Sequence, residues 1–100
     1  MTVMSEESSF HFLTNHAHVL LSISVDVDVT VRDLALQIGI TERAVIRIIG
    51  ELDESGYLTR AREGRRNHYT INPNRPLRHK VEAHCSVGDL IEMYNARREA

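Results

Sequence analysis

The sequence has a single cysteine, Cys85, with no second thiol to pair with it inside the chain. An internal disulfide is excluded, and nothing marks an oxidising compartment. Long apolar runs are missing as well. The most apolar stretch, Val19 to Val25, is broken by Ser22 and Ser24 and is far shorter than the ~20 residues of a membrane-crossing helix. Glu6 and Glu7 stand near the start, where a secretory signal would carry basic residues. A cytoplasmic location with no membrane association is therefore expected. There is no internal repeat, no glycine-rich phosphate loop, no carboxylate pair and no nucleophile elbow to support catalysis. With 100 residues the chain is the size of one compact domain, which buries only about two-thirds of its unfolded surface. Little apolar material is left for a deep substrate cavity, so an enzyme is not expected.

Net charge is small, −2, but unevenly spread. Between Thr59 and Lys80 stand seven basic residues, Arg60, Arg62, Arg65, Arg66, Arg75, Arg78 and Lys80, against the single acid Glu63. The remainder of the chain is correspondingly acidic. A cationic tract on an otherwise acidic protein is the electrostatic footprint of a nucleic-acid-binding face.

The hydrophobic pattern divides the chain into an N-terminal extension (1–13), a core domain (14–72), a linker (73–85) and a last helix (86–100). Thr14 is suited to cap a first helix to about Asp26. Its apolar residues, Ala17, Val19, Leu20, Leu21 and Ile23, are spread too widely for one stripe, which predicts a central buried helix. Val25, Val27, Val29 and Val31 alternate with polar residues, a period of two that predicts a short strand near residues 29–31. Thr30 and Asp33 have capping-box spacing and open a second helix through Ile38, with Leu34, Ala35 and Ile38 on one face. Gly39 ends it. Thr41 then caps a third helix running to about Ser55, with Val45, Ile48, Ile49 and Leu52 facing inward and Gly56 as terminator.

Tyr57–Arg62 and Asn67–Ile71 read as the arms of a β-hairpin around Glu63-Gly64-Arg65-Arg66. Leu58, Tyr69 and Ile71 are expected to face the core, and Arg60, Arg62, His68 and Thr70 the solvent. Asn72-Pro73-Asn74-Arg75-Pro76 breaks regular structure. Ser86 and Asp89 repeat the capping-box spacing. They start a helix with Val87, Leu90, Ile91 and Tyr94 along one face and Arg97 and Arg98 at its end, where they complement the helix dipole.

The second and third helices have a specific spacing. Small Ala35 lets them cross closely, Gly39 makes the turn, and Val45 and Ile48 seat the third helix on the second. That is a helix-turn-helix, and an arginine-tipped hairpin follows it directly. Through Val31-Arg32-Asp33-Leu34-Ala35, Gly39-Ile40-Thr41, Leu52-Asp53-Glu54-Ser55-Gly56-Tyr57-Leu58 and Gly64-Arg65-Arg66-Asn67-His68-Tyr69, the chain resembles prokaryotic winged helix-turn-helix regulators of the broad MarR/ArsR type. The resemblance covers about Thr14 to Asn72. It implies a mainly α fold with a small β-hairpin wing, a three-helix core plus a C-terminal helix, and binding of double-stranded DNA to regulate transcription. The third helix would enter the major groove, and the wing would meet the backbone or minor groove.

The exposed face of that helix supplies the candidates Thr41, Glu42, Arg43, Ile46 and Arg47. Arg43, nearest the helix start, is suited to base readout, and Arg47 to base or phosphate. Arg60, Arg62, Arg65, Arg66, Asn67 and His68 are the wing candidates for backbone contact. Glu42, Ile46 and Gly50 depart from the polar or basic residues such helices carry. They leave open a winged helix that binds protein instead.

A metal-responsive regulator is a further alternative. His79, His84 and Cys85 cluster before the last helix, and His11, His16 and His18 near the first, yet ligation needs three or four converging groups. No cofactor or metal is expected. The stripe Val87, Leu90, Ile91, Tyr94, with Phe10, Phe12 and Leu13, needs a covering surface. That surface is either the first helix of the same chain or a second copy in a two-fold dimer, and a homodimer is the expectation.

Overall fold

The structure, a computed structural model, describes residues 10–98. Residues 1–9 of the expected N-terminal extension, and 99–100 of the expected last helix, lie outside the described residues. The elements follow one another as α1 (Asn15–Val25), α2 (Val31–Ile38), α3 (Glu42–Glu54), β1 (Leu58–Glu63), β2 (Arg66–Ile71) and α4 (Val87–Arg98). Three helices, a hairpin and a final helix in this order make a winged helix-turn-helix.

Each of the first three helices starts on a threonine hydroxyl. Thr14, Thr30 and Thr41 accept hydrogen bonds from the backbone N–H of Ala17, Asp33 and Ala44. This relieves donors that the first helical turn leaves without partners. At the start of α4 the capping is reciprocal. Asp89 N–H donates to Ser86 Oγ at 3.1 Å, and Ser86 N–H donates to Asp89 Oδ2 at 2.8 Å. Helix ends are set by glycine. Gly39 (φ 84°) closes α2, with its own N–H and that of Ile40 both donating to Ala35 C=O. Gly56 (φ 82°) follows α3, with Gly56 N–H to Asp53 C=O and Tyr57 N–H to Leu52 C=O. This pair of bonds is the Schellman arrangement, which needs the left-handed conformation glycine adopts without strain.

The core lies between the three helices and the root of the hairpin. Val19, Leu20 and Ile23 of α1 meet Leu34 and Ala35 of α2, and Val45, Ile48, Ile49 and Leu52 of α3. Leu58 and Tyr69 close it from the sheet side, and Val87 from α4. All four inward positions expected on α3 are buried. The remaining stripe of α4 is covered only in part: Leu90, Ile91 and Tyr94 are half-buried and Met93 exposed, while Asn95 Nδ2 donates to Ser24 Oγ of α1.

Three expectations need correction. No strand forms at residues 29–31. Asp26 Oδ1 accepts from Asp28 N–H and Asp26 C=O from Val29 N–H, a turn that occupies the segment, and Thr30 is spent as the α2 cap. What survives of a strand is one bond, from Tyr69 N–H to Val27 C=O at 3.0 Å. The second correction concerns the hairpin faces. Leu58 pairs with Ile71, Arg60 with Tyr69 and Arg62 with Asn67. Directly opposed residues share a face, so Arg60 and Arg62 stand on the core side with Leu58. Both are nonetheless exposed, although Tyr69 opposite Arg60 is buried. Thr59, Ala61, Glu63, Arg66, His68 and Thr70 form the other face.

The hairpin turn is also tighter than its four-residue reading, since Glu63 and Arg66 already pair. Only Gly64 and Arg65 remain as central residues. With φ 65° at Gly64 and no positive φ at Arg65, they follow the type II′ pattern, whose twist matches that of the strands.

Candidate nucleic-acid interface

The seat of α3 determines which of its residues are free. Because Val45, Ile48, Ile49 and Leu52 are held in the core, Thr41, Glu42, Arg43, Ile46 and Arg47 turn outward, and all five are exposed. Arg43 makes no side-chain hydrogen bond or ion pair among the described residues. Arg47 does: its Nη1 lies 3.3 Å from Glu51 Oε2, one turn along the helix. Glu51 Oε1 is in turn 2.6 Å from Nε2 of His16 on α1. The hydrogen bond from His16, more than the neighbouring Arg47, holds the Glu51 carboxyl below its ordinary range against an opposing pull from desolvation. With Glu42, Asp53 and Glu54, α3 carries four acids against two arginines.

On the wing, the basic residues have different fates. Arg60 Nε donates to Asp53 Oδ2 of α3 at 2.9 Å, tying the root of the hairpin to the helix. Arg62 Nε reaches back to Gly64 C=O within the hairpin at 3.3 Å. Arg66 Nη1 donates to the carbonyl of Asp28 at 3.2 Å, and His68 Nδ1 lies 2.9 Å from the Asp28 carboxylate. That hydrogen bond is the main reason the His68 imidazole titrates above its ordinary value, and the charges of Glu63 and Asp28 add to it. Together with the Tyr69–Val27 bond, these contacts fix β2 against the 26–29 turn. Asn67 is half-buried beside them. Arg65, at the hairpin tip, has no side-chain partner among the described residues.

Two further cations of the basic tract, Arg75 and Arg78, serve the C-terminal end of α3. Arg75 Nη2 donates to Ser55 C=O at 2.8 Å with its guanidinium 5.5 Å from the Tyr57 ring centroid, and Arg78 Nη1 donates to Ser55 Oγ at 3.2 Å. A cation there complements the negative end of the helix dipole. The tract is thus split between wing and helix end. Sequence reasoning missed Asp28, Glu51 and Asp53 as partners. Arg47–Glu51 has a local signal in its i,i+4 spacing. The contacts of Asp28 with His68 and of His16 with Glu51 span 40 and 35 residues and have none.

Behind α3 a cleft of about 720 Å³ opens between the start of α1, the end of α3 and the start of α4, with Leu20, Leu52, Leu77 and Leu90 among its apolar walls. Among the described residues, no group of three or more His, Cys, Asp or Glu side chains is placed to hold a metal ion. His79 Nδ1 accepts from Val81 N–H at 3.0 Å, and Cys85 is half-buried.

Solved structures share this arrangement. Streptococcus pneumoniae FabT in complex with DNA superposes with a TM-score of 0.60 at 18% identity, over 92% of this chain and 59% of FabT. The fold is that of the MarR regulators. The zinc-responsive MarR family member ZitR of Lactococcus lactis gives 0.57 at 16% identity, over 99% of this chain and 62% of ZitR. A predicted DNA-binding transcriptional regulator from E. coli gives 0.56 at 15% identity, over 80% and 73%. The chain spans about 59% to 73% of the length of these three structures. No protein-family model matches the sequence, and neither does any curated protein.

Proposed function

We propose that this MarR-like chain is a transcriptional regulator that binds specific double-stranded DNA as a cytoplasmic homodimer and carries out no catalysis. In this reading α3 lies in the major groove, Arg43 reads a base edge, Arg47 meets a base or phosphate, and the wing follows the backbone or minor groove with Arg65 at its tip. One observation carries it. The outer face of α3 from Thr41 to Arg47 stands exposed at the start of the helix, joined through Asp53 and Arg60 to a wing whose tip arginine is free of partners among the described residues. FabT, which shares the fold, has been solved on DNA.

Arg60, Arg66 and His68 have structural partners, so their share in DNA contact is to hold the wing in place. Among the described residues, Arg62 is bound only within the hairpin, through Gly64 C=O. Thr41, Glu42, Ile46 and Asn67 complete the proposed surface. Glu42 would accept from a cytosine amino group, and Ile46 would meet a thymine methyl. The unfilled apolar surface of α4, with Phe10 and Phe12, supports a second copy as its cover.

Selection of bound fragments from random duplex DNA tests the reading. An inverted repeat with half-sites about one turn, ~34 Å, apart is expected. For a dimer contacting about six phosphates, affinity should fall about a thousandfold between roughly 50 and 200 mM salt. No enrichment together with a flat salt response would overturn it. The acid excess on α3 favours a second reading, a winged helix that binds a basic protein surface, and that pair of results would promote it.

A further inference from the structure

We propose that Glu51 is an intramolecular competitor for Arg47, so that the recognition helix holds its second arginine until DNA takes the place of the Glu51 carboxylate. The proposal rests on the DNA-binding reading above and concerns how that surface is regulated. Arg43 and Arg47 stand one turn apart on the same open face, yet only Arg47 has an acid one turn further on. Residue 47 itself occupies that place for Arg43. The Arg47 Nη1 donor lies 3.3 Å and 3.5 Å from the two Glu51 oxygens.

An exposed pair of this spacing is ordinarily weak because two long side chains must both be ordered. Here one of them is already ordered from another element. His16 on α1 engages Glu51 Oε1 at 2.6 Å and fixes the carboxylate at the flank of α3. As an anion, the Glu51 carboxylate competes with a DNA phosphate for the Arg47 guanidinium. Glu54, on the same helix and also exposed, has neither His16 nor an arginine as partner among the described residues. The two glutamates therefore carry the same charge on one helix, and only one of them is engaged with the proposed DNA surface. Glu51 is a positioning residue in this scheme: Arg43 meets DNA unhindered, and Arg47 engages after an exchange of partners.

The test compares Glu51→Gln, Glu54→Gln, Arg47→Ala and the double variant Glu51→Gln/Arg47→Ala on the selected DNA at fixed salt. Circular dichroism confirms that each is folded. Glu51→Gln should tighten binding about twofold to fivefold per recognition helix, the range of an exposed ion pair released. Glu54→Gln should gain less, and in the Arg47→Ala background the Glu51→Gln gain should fall to the size of the Glu54→Gln gain. Without DNA, the NMR signals of the Arg47 guanidinium should shift in Glu51→Gln and stay in place in Glu54→Gln. Equal gains from the two glutamines, a Glu51→Gln gain undiminished without Arg47, or an unmoved guanidinium signal would each overturn the proposal while leaving the DNA reading intact. A folded wild type that binds no duplex refutes the DNA reading, and this proposal with it.

Discussion

Helix α3 and the wing both carry exposed arginines but are held by different forces. Four buried aliphatic side chains fix α3, so its outer face stays in place whatever charges it carries. The hairpin contributes only Leu58 and Tyr69 to the fully buried core. Beyond these two side chains it is held by polar contacts: Arg60 to Asp53 at its root, and Arg66 and His68 to Asp28 further out. Apolar burial is non-directional and strong, whereas exposed ion pairs are weak and sensitive to salt and pH. The seat of α3 is therefore the stronger of the two, and the wing rests in part on contacts that respond to salt and pH.

The largest effect expected from breaking this contrast is at the seat of the helix. Ile48→Ala should cost about 2–5 kcal/mol by opening a cavity between α3 and its neighbours, measured by urea denaturation. Removal of Arg43 tests what the outer face of α3 reads. Arg43→Ala should lower discrimination at one base position by about 1–3 kcal/mol, whereas Arg65→Ala should weaken all sequences alike and reduce the salt slope by about one. Competition assays on matched and mismatched sites separate the two, and the reverse outcome would exchange their roles. Gly39→Ala should cost about 1–2 kcal/mol, because φ 84° strains any L side chain although no atom crowds the position. Urea denaturation reads this loss too.

On the wing, Arg60→Ala should cost no more than about 1 kcal/mol of stability, while hydrogen exchange in the hairpin amides rises. An equal loss at Arg60 and Ile48 would abolish the distinction between the two regions. The smallest effect is the response to pH. His68 titrates above its ordinary value, so the folded state binds its proton more tightly than the unfolded chain does. The stabilisation is full below about pH 6.5, the unfolded value, and is lost as pH rises through the folded value. An NMR titration should find the His68 midpoint raised in the wild type and returned toward about 6.5 in Asp28→Asn. An unchanged midpoint would remove Asp28 from the account.

Much of the fold was legible because its signals are local. Thr14, Thr30 and Thr41 as caps, Gly39 and Gly56 as stops, and the i, i+3, i+4 spacing on α3 each act within a few residues. The strand expected near residues 29–31 failed for a reason of the same scale. Alternating valines matched a strand, but Asp26 and Thr30 captured the backbone donors for a turn and a cap. Arg60 and Arg62 are exposed, as their charge implies, yet the period of two ties them to the Leu58 face of the hairpin.

Sequence alone determined the order of helices and hairpin, the turn between α2 and α3, and the outward placement of Arg43 and Arg47. These follow from backbone preference and the burial of one apolar face. Only the tertiary structure decided which cations are engaged and which are free. Arg60, Arg66, His68 and Arg75 find their partners through chain segments brought together by the core, and at such separations pairing is a matter of three-dimensional distance rather than of residue type or spacing.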